Sequence, residues 1–89
     1  MTVMIVSEVA GQSAQGYDGM LATVGAALRQ APGFIMHASH RVDAGWRIVE
    51  LWASREDATQ FFAAHVAPHL PDGIRPKLSF QLLHSLVRP

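Results

Sequence analysis

The stretch from Gly33 to Ala53 constrains the fold more than any other part of the chain, because it predicts a β-hairpin that is apolar on both faces. One strand is expected at about Phe34–His40 and the next at about Trp46–Ala53, with a turn at Val42–Gly45 between them. Successive side chains of a strand point to opposite faces, so a sheet with one wet face shows a polar residue at every second position. This hairpin does not show that alternation, and each of its faces therefore has to pack against another part of the protein or another chain.

The same alternation predicts which side chains share a face of the hairpin. In the first strand one face carries Phe34, Met36 and Ala38, and the other carries Ile35, His37 and Ser39. In the second strand one face carries Trp46, Ile48 and Trp52, and the other carries Val49 and Leu51.

The rest of the chain predicts two further strands and two helices. A period of two indicates a strand, and a period near 3.6 indicates a helix. The elements outside the hairpin are a strand at Val3–Ala10, a helix from Tyr17 to the cluster Ala31-Pro32-Gly33, a helix from Ser54 to about Val66, and a strand at Leu78–Val87. Ser54 and Asp57 form a capping-box pattern at the start of the second helix.

The order β-α-β-β-α-β predicts a single ferredoxin-like α+β domain that spans residues 1–89. Right-handed crossovers place both helices on one face of a four-stranded antiparallel sheet. The other face then carries an apolar patch too large to remain in water. We therefore expect a homodimer in which two sheets pack together, with about 1,500–2,500 Å² buried in total.

Composition excludes several classes of function. The formal net charge is zero, so no basic stripe is present to follow nucleic-acid phosphates. The chain has no cysteine, and no glycine-rich phosphate loop follows a strand. The N-terminal apolar run is too short for a signal peptide or a membrane span. These features predict a cytoplasmic protein with no bound cofactor or metal and no nucleic-acid or membrane partner.

Three short sequence features occur at the ends of predicted strands and helices. They are Pro32-Gly33 before the second strand, Glu50-x-Trp52-x-Ser54 leading into the second helix, and His84 near the end of the last strand. With the runs APGFIMHASH, GWRIVELWAS and FFAAHVAP, they resemble the dimeric α+β barrel superfamily over about Val3–Val87. Within that superfamily the chain is most similar to the antibiotic-biosynthesis-monooxygenase branch.

The resemblance implies a homodimer, a pocket between helices and sheet, and often oxygen chemistry on aromatic polyketides without metal or flavin. The superfamily also includes isomerases, haem-degrading proteins and muconolactone-type enzymes. Two departures are visible. Many members carry a histidine nine residues after the tryptophan, where this chain has Phe61. The chain also lacks the asparagine that haem-degrading members use, which argues against haem cleavage.

Two residues are candidate catalytic groups. His65 is expected on the inner, apolar face of the second helix, where an imidazole can act as an acid or base near neutral pH. Glu50 lies between Ile48 and Trp52 on a central strand, where a desolvated carboxylate could abstract a proton. The structural alternatives are a core histidine bonded to a carbonyl, and a carboxylate paired with an arginine or bonded across the dimer.

An aromatic cage for a flat ligand is the predicted binding site. The predicted substrate-binding residues are Tyr17, His37, Trp46, Trp52, Phe61 and Phe62. Ordinary core packing is the alternative for these side chains. His37 and His40 point to opposite faces of a strand, and Pro68 interrupts the spacing of His65 and His69, so no metal pair is predicted.

The function predicted from these observations is a cofactor-independent, monooxygenase-type enzyme acting on a flat aromatic or polyketide-like substrate. The alternatives are a non-oxidative cyclase or isomerase of a similar compound, and a ligand-binding or interaction module without catalysis.

Overall fold

The computed structural model describes residues 1–89 and has the predicted ferredoxin-like architecture. The elements are β1 (Val3–Ala10), α1 (Ala14–Gln30), β2 (Phe34–Val42), β3 (Gly45–Trp52), α2 (Arg55–Phe61) and β4 (Lys77–Leu82). A π-helical turn at Phe62–Val66 and a 3-10 turn at Ala67–His69 follow α2. All strand pairs are antiparallel, and the strand order is β2-β3-β1-β4.

Both helices begin at a serine cap. The Ser13 side chain accepts a hydrogen bond from the Gly16 amide, and the Ser54 side chain accepts one from the Asp57 amide. Each cap satisfies an amide that has no partner within the first helical turn. After α1 the backbone turns at Gly33, which adopts a φ of +82° that glycine tolerates without strain. Neither helix is long and apolar enough to cross a membrane.

The last strand and the second helix are shorter than the sequence pattern indicates. β4 was expected to reach Val87, but it ends at Leu82, which pairs with Val3 at the beginning of β1. Residues after Leu82 therefore have no remaining β1 residues with which to form a ladder. The regular α-helical part of α2 ends at Phe61, and the predicted helix continues to Val66 only as the π turn.

A β-bulge in β2 changes one predicted face. Phe34 pairs with Trp52, whereas Met36 pairs with Leu51, so one residue is inserted between the two pairs. The prediction that Phe34 shares a face with Met36 and Ala38 is therefore wrong. The bulge puts Phe34 on the helix side of the sheet, where its ring meets Trp52 edge-on.

The core lies between the helices and the covered face of the sheet. Its buried residues are Val3, Ile5, Val24, Leu28, Trp52, Ala58 and Phe61. Trp52 lies at the centre with no exposed surface. The opposite face, called here the open face, carries six apolar side chains in two neighbouring rows. They are Met4, Leu51 and Met36 in one row, and Val6, Val49 and Ala38 in the next.

The backbone at the end of β1 passes so close to Gly45 that a side chain at this position would be a test of stability. A methyl group at Gly45 would collide with the carbonyl oxygen of Val9 and lie 2.8 Å from the amide nitrogen of Gly11. Because both are backbone atoms, we expect Gly45→Ala to lower the free energy of unfolding by about 1–3 kcal/mol in urea denaturation. Gly19→Ala is the control, because nothing lies near that site in α1 and alanine favours the helix by about 0.5–1 kcal/mol. Equal stability of the two variants would contradict this prediction.

Candidate active site

A chain of hydrogen bonds joins four side chains on the covered face. The Tyr17 hydroxyl lies 2.5 Å from Nε2 of His37, and Nδ1 of His37 lies 2.6 Å from Oε2 of Glu50. The indole N–H of Trp52 donates to Oε1 of Glu50 at 3.0 Å. The side chains of His37 and Glu50 are only 15% and 21% exposed. The arrangement therefore links a phenol, an imidazole and a carboxylate away from bulk water.

The register of the sheet holds this arrangement in place. His37 on β2 is paired directly with Glu50 on β3, so their side chains leave the same face as neighbours. Trp52 lies two residues farther along β3, on the same face as Glu50. Tyr17 is one of the three buried residues of α1 and reaches His37 from above the sheet.

We assign the protons of His37 from its hydrogen-bond partners. An ionised carboxylate only accepts hydrogen bonds, so Nδ1 of His37 carries the hydrogen that is donated to Glu50. In the neutral imidazole Nε2 is then an acceptor, and the Tyr17 hydroxyl donates to it. His37 is thus oriented to take a proton from the Tyr17 side, while Glu50 stabilises the resulting positive charge.

These groups border an apolar cavity between α1, the π turn and the sheet, called here the main cavity. Its volume is about 90 Å³, and most of its 17 lining residues are hydrophobic. Tyr17, His37 and Glu50 supply part of its wall. The hydrogen-bonded groups are therefore next to space in which a small apolar ligand part would be shielded from water.

The predicted binding residues divide into two groups. Tyr17, His37, Phe61 and Phe62 line the main cavity. Trp46 and Trp52 do not line it: Trp46 stacks on Tyr17 at 5.3 Å between ring centroids, and Trp52 is buried behind Glu50. The arginine partner considered for Glu50 is not present, because its carboxylate is bonded to His37 and Trp52 instead.

His65 lies elsewhere. Its side chain is exposed and stacks on Phe61 at 4.9 Å, so its expected position on the inner face is wrong. The inward positions of this segment are Phe62 and Val66, four residues apart, which leaves His65 on the flank. A catalytic role for His65 stays a prediction.

The partnership between His37 and Glu50 was missed in the sequence, although a signal for it exists. The two-residue turn Asp43-Ala44 pairs Val42 with Gly45, and counting outward along both strands places His37 opposite Glu50. No group of three His, Asp or Glu side chains is close enough to hold a metal ion.

Comparison with solved structures shows the same fold in three bacterial proteins, two of which are described as oxygenases. SnoaB, a cofactor-independent oxygenase from Streptomyces nogalater, superposes with a TM-score of 0.70 at 12% identity, covering 99% of this chain and 98% of SnoaB. The ActVA-Orf6 monooxygenase of Streptomyces coelicolor, in complex with nanaomycin D, gives 0.53 at 18% identity, covering 99% and 91%. PA3566 from Pseudomonas aeruginosa gives 0.57 at 14% identity, covering 97% and 93%.

No family model and no curated protein sequence matches the chain. The structural matches confirm the fold expected from the resemblance. They are distant in sequence, so the reaction has to be argued from the site itself.

The hydrogen bond from Trp52 to Glu50 can be tested through stability. Trp52→Phe removes the indole donor and leaves Oε1 of Glu50 without it, so we expect the free energy of unfolding to fall by about 1–3 kcal/mol. Trp46→Phe is the control for loss of the indole N–H, since the Trp46 N–H is buried without a partner, and Glu50→Gln in the Trp52→Phe background separates the hydrogen bond from the packing that the fully buried Trp52 also loses. Urea denaturation measures both changes. A loss at Trp46 as large as that at Trp52 would show that the hydrogen bond does not stabilise the site.

Proposed function

We propose that the protein is a cofactor-independent, monooxygenase-type enzyme that removes a proton from a flat, phenolic, polyketide-like substrate. The observation that carries this proposal is the hydrogen-bonded chain Tyr17–His37–Glu50 at the wall of an apolar cavity. The oxygenase names of SnoaB and the ActVA-Orf6 monooxygenase support it, because those proteins share the fold.

The proposed proton transfer follows the hydrogen bonds. The Tyr17 oxygen accepts the proton of a substrate hydroxyl while its own proton passes to Nε2 of His37. The imidazolium that forms keeps its hydrogen bond to Glu50, and the ion pair stabilises it in surroundings of low polarity. The substrate is left as a phenolate in the cavity, and the proton is held on His37, which is linked to the phenolate through two hydrogen bonds and the Tyr17 hydroxyl.

Oxygen then serves as the oxidant. A phenolate is rich in electrons and can transfer them to O₂ without a metal or flavin. In the overall reaction the substrate loses two hydrogen atoms and gains one oxygen atom, and the second oxygen atom leaves with those two hydrogens as water. The apolar wall favours the step by orienting the ring and excluding water from the charged intermediates.

We also propose that the enzyme is a homodimer built through the open face. The six apolar side chains of that face lie beside a polar row of Lys77, Glu8, Arg47 and His40, in which Arg47 and Glu8 form an ion pair. An apolar centre with a polar border is the usual composition of a protein interface. A second copy is the occupant favoured by the small size of the chain, since 89 residues bury a limited share of their surface alone.

The role of His37 is tested by turnover of a dihydroxyanthrone, a tricyclic phenol, in an oxygen electrode. We expect His37→Gln to lower turnover by about two to four orders of magnitude, the usual contribution of a general base. His69→Gln is the control, because His69 is exposed and does not line the main cavity.

The same experiment compares His37 with His65. If turnover is unchanged in His37→Gln but falls strongly in His65→Gln, the base is His65 and not His37, which would contradict the proposal. Consumption of the anthrone, followed by its absorbance, that continues at the same rate without oxygen would favour the cyclase or isomerase alternative.

The dimer is tested by sedimentation at micromolar concentration. Val49 lies at the centre of the open face between Val6 and Ala38, so Val49→Lys places a charge within the proposed interface. We expect a dimer for the natural chain and a folded monomer for Val49→Lys. Ala26→Lys, on the exposed side of α1, should remain dimeric. A natural chain that is monomeric would contradict the proposal.

A further inference from the structure

A second cavity adjoins the main one and extends the space beside Glu50 towards β4. This outer cavity has a volume of about 240 Å³ and lies between α2 and the edge of the sheet. Four residues line both cavities, namely Ser7, Glu50, Ala58 and Phe62. Together the two spaces reach the lower end of the range typical of small-molecule sites, about 300 Å³. A ligand larger than a single ring would therefore occupy both.

Arg55 is the only arginine or lysine that lines either cavity. Its guanidinium lies over the ring of Phe80, 4.2 Å from the ring centroid. No carboxylate pairs with it, since the ion pairs of the chain are His37–Glu50 and Arg47–Glu8. Arg55 is an exposed residue, so its guanidinium lies at the solvent side of the outer cavity with no carboxylate partner, and its planar set of donors matches a carboxylate.

The sheet sets the separation between Phe80, whose ring lies beneath Arg55, and the hydrogen-bonded chain. Phe80, Ile5, Glu50 and His37 form one row across the four strands, because Ile5 pairs with both Phe80 and Glu50, and Glu50 pairs with His37. Neighbouring strands lie about 4.8 Å apart, so Phe80, under Arg55, is about 10 Å from Glu50 and about 14 Å from His37. A ligand with a hydrogen bond of about 3 Å at each end would then have its hydroxyl and carboxylate about 8 Å apart, which corresponds to two fused aromatic rings.

We propose that Arg55 binds a carboxylate of the substrate and thereby sets its orientation. This inference rests on the proposed function and narrows its substrate class to a flat aromatic acid. The hydroxyl group of that acid lies at one end, against Tyr17 and His37, and its carboxylate lies at the other end, against Arg55. The negative charge of Glu50 disfavours the reversed orientation, which would bring two carboxylates together.

The test compares two probes that differ at one group, which is a charged carboxylate in one and its neutral methyl ester in the other. One is a hydroxynaphthoic acid with its hydroxyl and carboxylate at opposite ends of the two rings, and the other is its methyl ester. Binding at neutral pH is measured by calorimetry, and ionisation of the bound hydroxyl is measured by the absorbance of the naphtholate. The variants are Arg55→Gln, Arg55→Lys and the control Arg88→Gln, which removes an exposed arginine that lines neither cavity.

We expect the natural chain to bind the acid about tenfold more tightly than the ester, the lower end for a hydrogen bond to a charged group. Arg55→Gln should abolish this preference, Arg55→Lys should keep part of it, and Arg88→Gln should keep all of it. Equal affinity for the two probes in the natural chain, or a preference that survives in Arg55→Gln, would overturn the inference.

The naphtholate signal separates this inference from the proposed function. One outcome is that Arg55→Gln loses the preference for the acid while the natural chain forms no naphtholate. This outcome would support the Arg55 site and contradict proton removal by Tyr17 and His37. The opposite outcome is that naphtholate forms equally with acid and ester and that Arg55→Gln has no effect on affinity. This outcome would support proton removal and overturn the Arg55 site.

Discussion

The Glu50 carboxylate imposes the strongest local constraint on this domain. It lies on a central strand, on the face covered by helices, where a charge without partners would be costly. Its two oxygens are bonded to His37 and Trp52, and His37 is bonded in turn to Tyr17. These bonds join β2, β3 and α1, so the register of the hairpin and the position of α1 are coupled to a single charged group. The same coupling holds the proposed base in one orientation.

The second constraint on the domain is that two helices can pack against only one face of its sheet. α1 spans 17 residues, whereas the regular part of α2 spans only 7 before the π turn. π turns occur often at functional sites, because they break the regular spacing of a helix. Here the turn carries Phe62, which lines both cavities. The irregular end of α2 thus lies beside the space next to Glu50, while the open face of the sheet has no helix over it and is the face through which we propose the dimer.

The sequence predicted the fold well because its signals are local. Period-two and period-3.6 patterns, serine caps and the Ala31-Pro32-Gly33 stop each depend on neighbouring residues, and the order of elements then limits the topology. Two features depended on pairing between distant residues: the bulge after Phe34, where the register against β3 shifts, and the end of β4, which follows from the start of β1. A third, the exposure of His65, follows from the inward positions of Phe62 and Val66.

The candidate site was predictable in part for the same reason. Glu50 was identified because a carboxylate between Ile48 and Trp52 contradicts the apolar pattern of its strand. His37 was assigned to binding without its partner, although the hairpin register contained that pairing. Tyr17 approaches from α1, and no short-range pattern reports how a helix is rotated over a sheet. The helix–sheet contact therefore had to come from the structure.

One fold supports many reactions, so what distinguishes this chain is the row of side chains that crosses its sheet. The row begins with Phe80 under a cation, continues through apolar Ile5, and ends with the Glu50–His37 pair. Because strand spacing is fixed by backbone hydrogen bonds, the backbone positions of Phe80 and of the Glu50–His37 pair are held at a constant separation. A flat ligand bound along this row, as proposed, would meet a positive group at one end and a proton acceptor at the other. The sheet would then set both the orientation and the length of the ligand, while the two helices would supply the walls that exclude water.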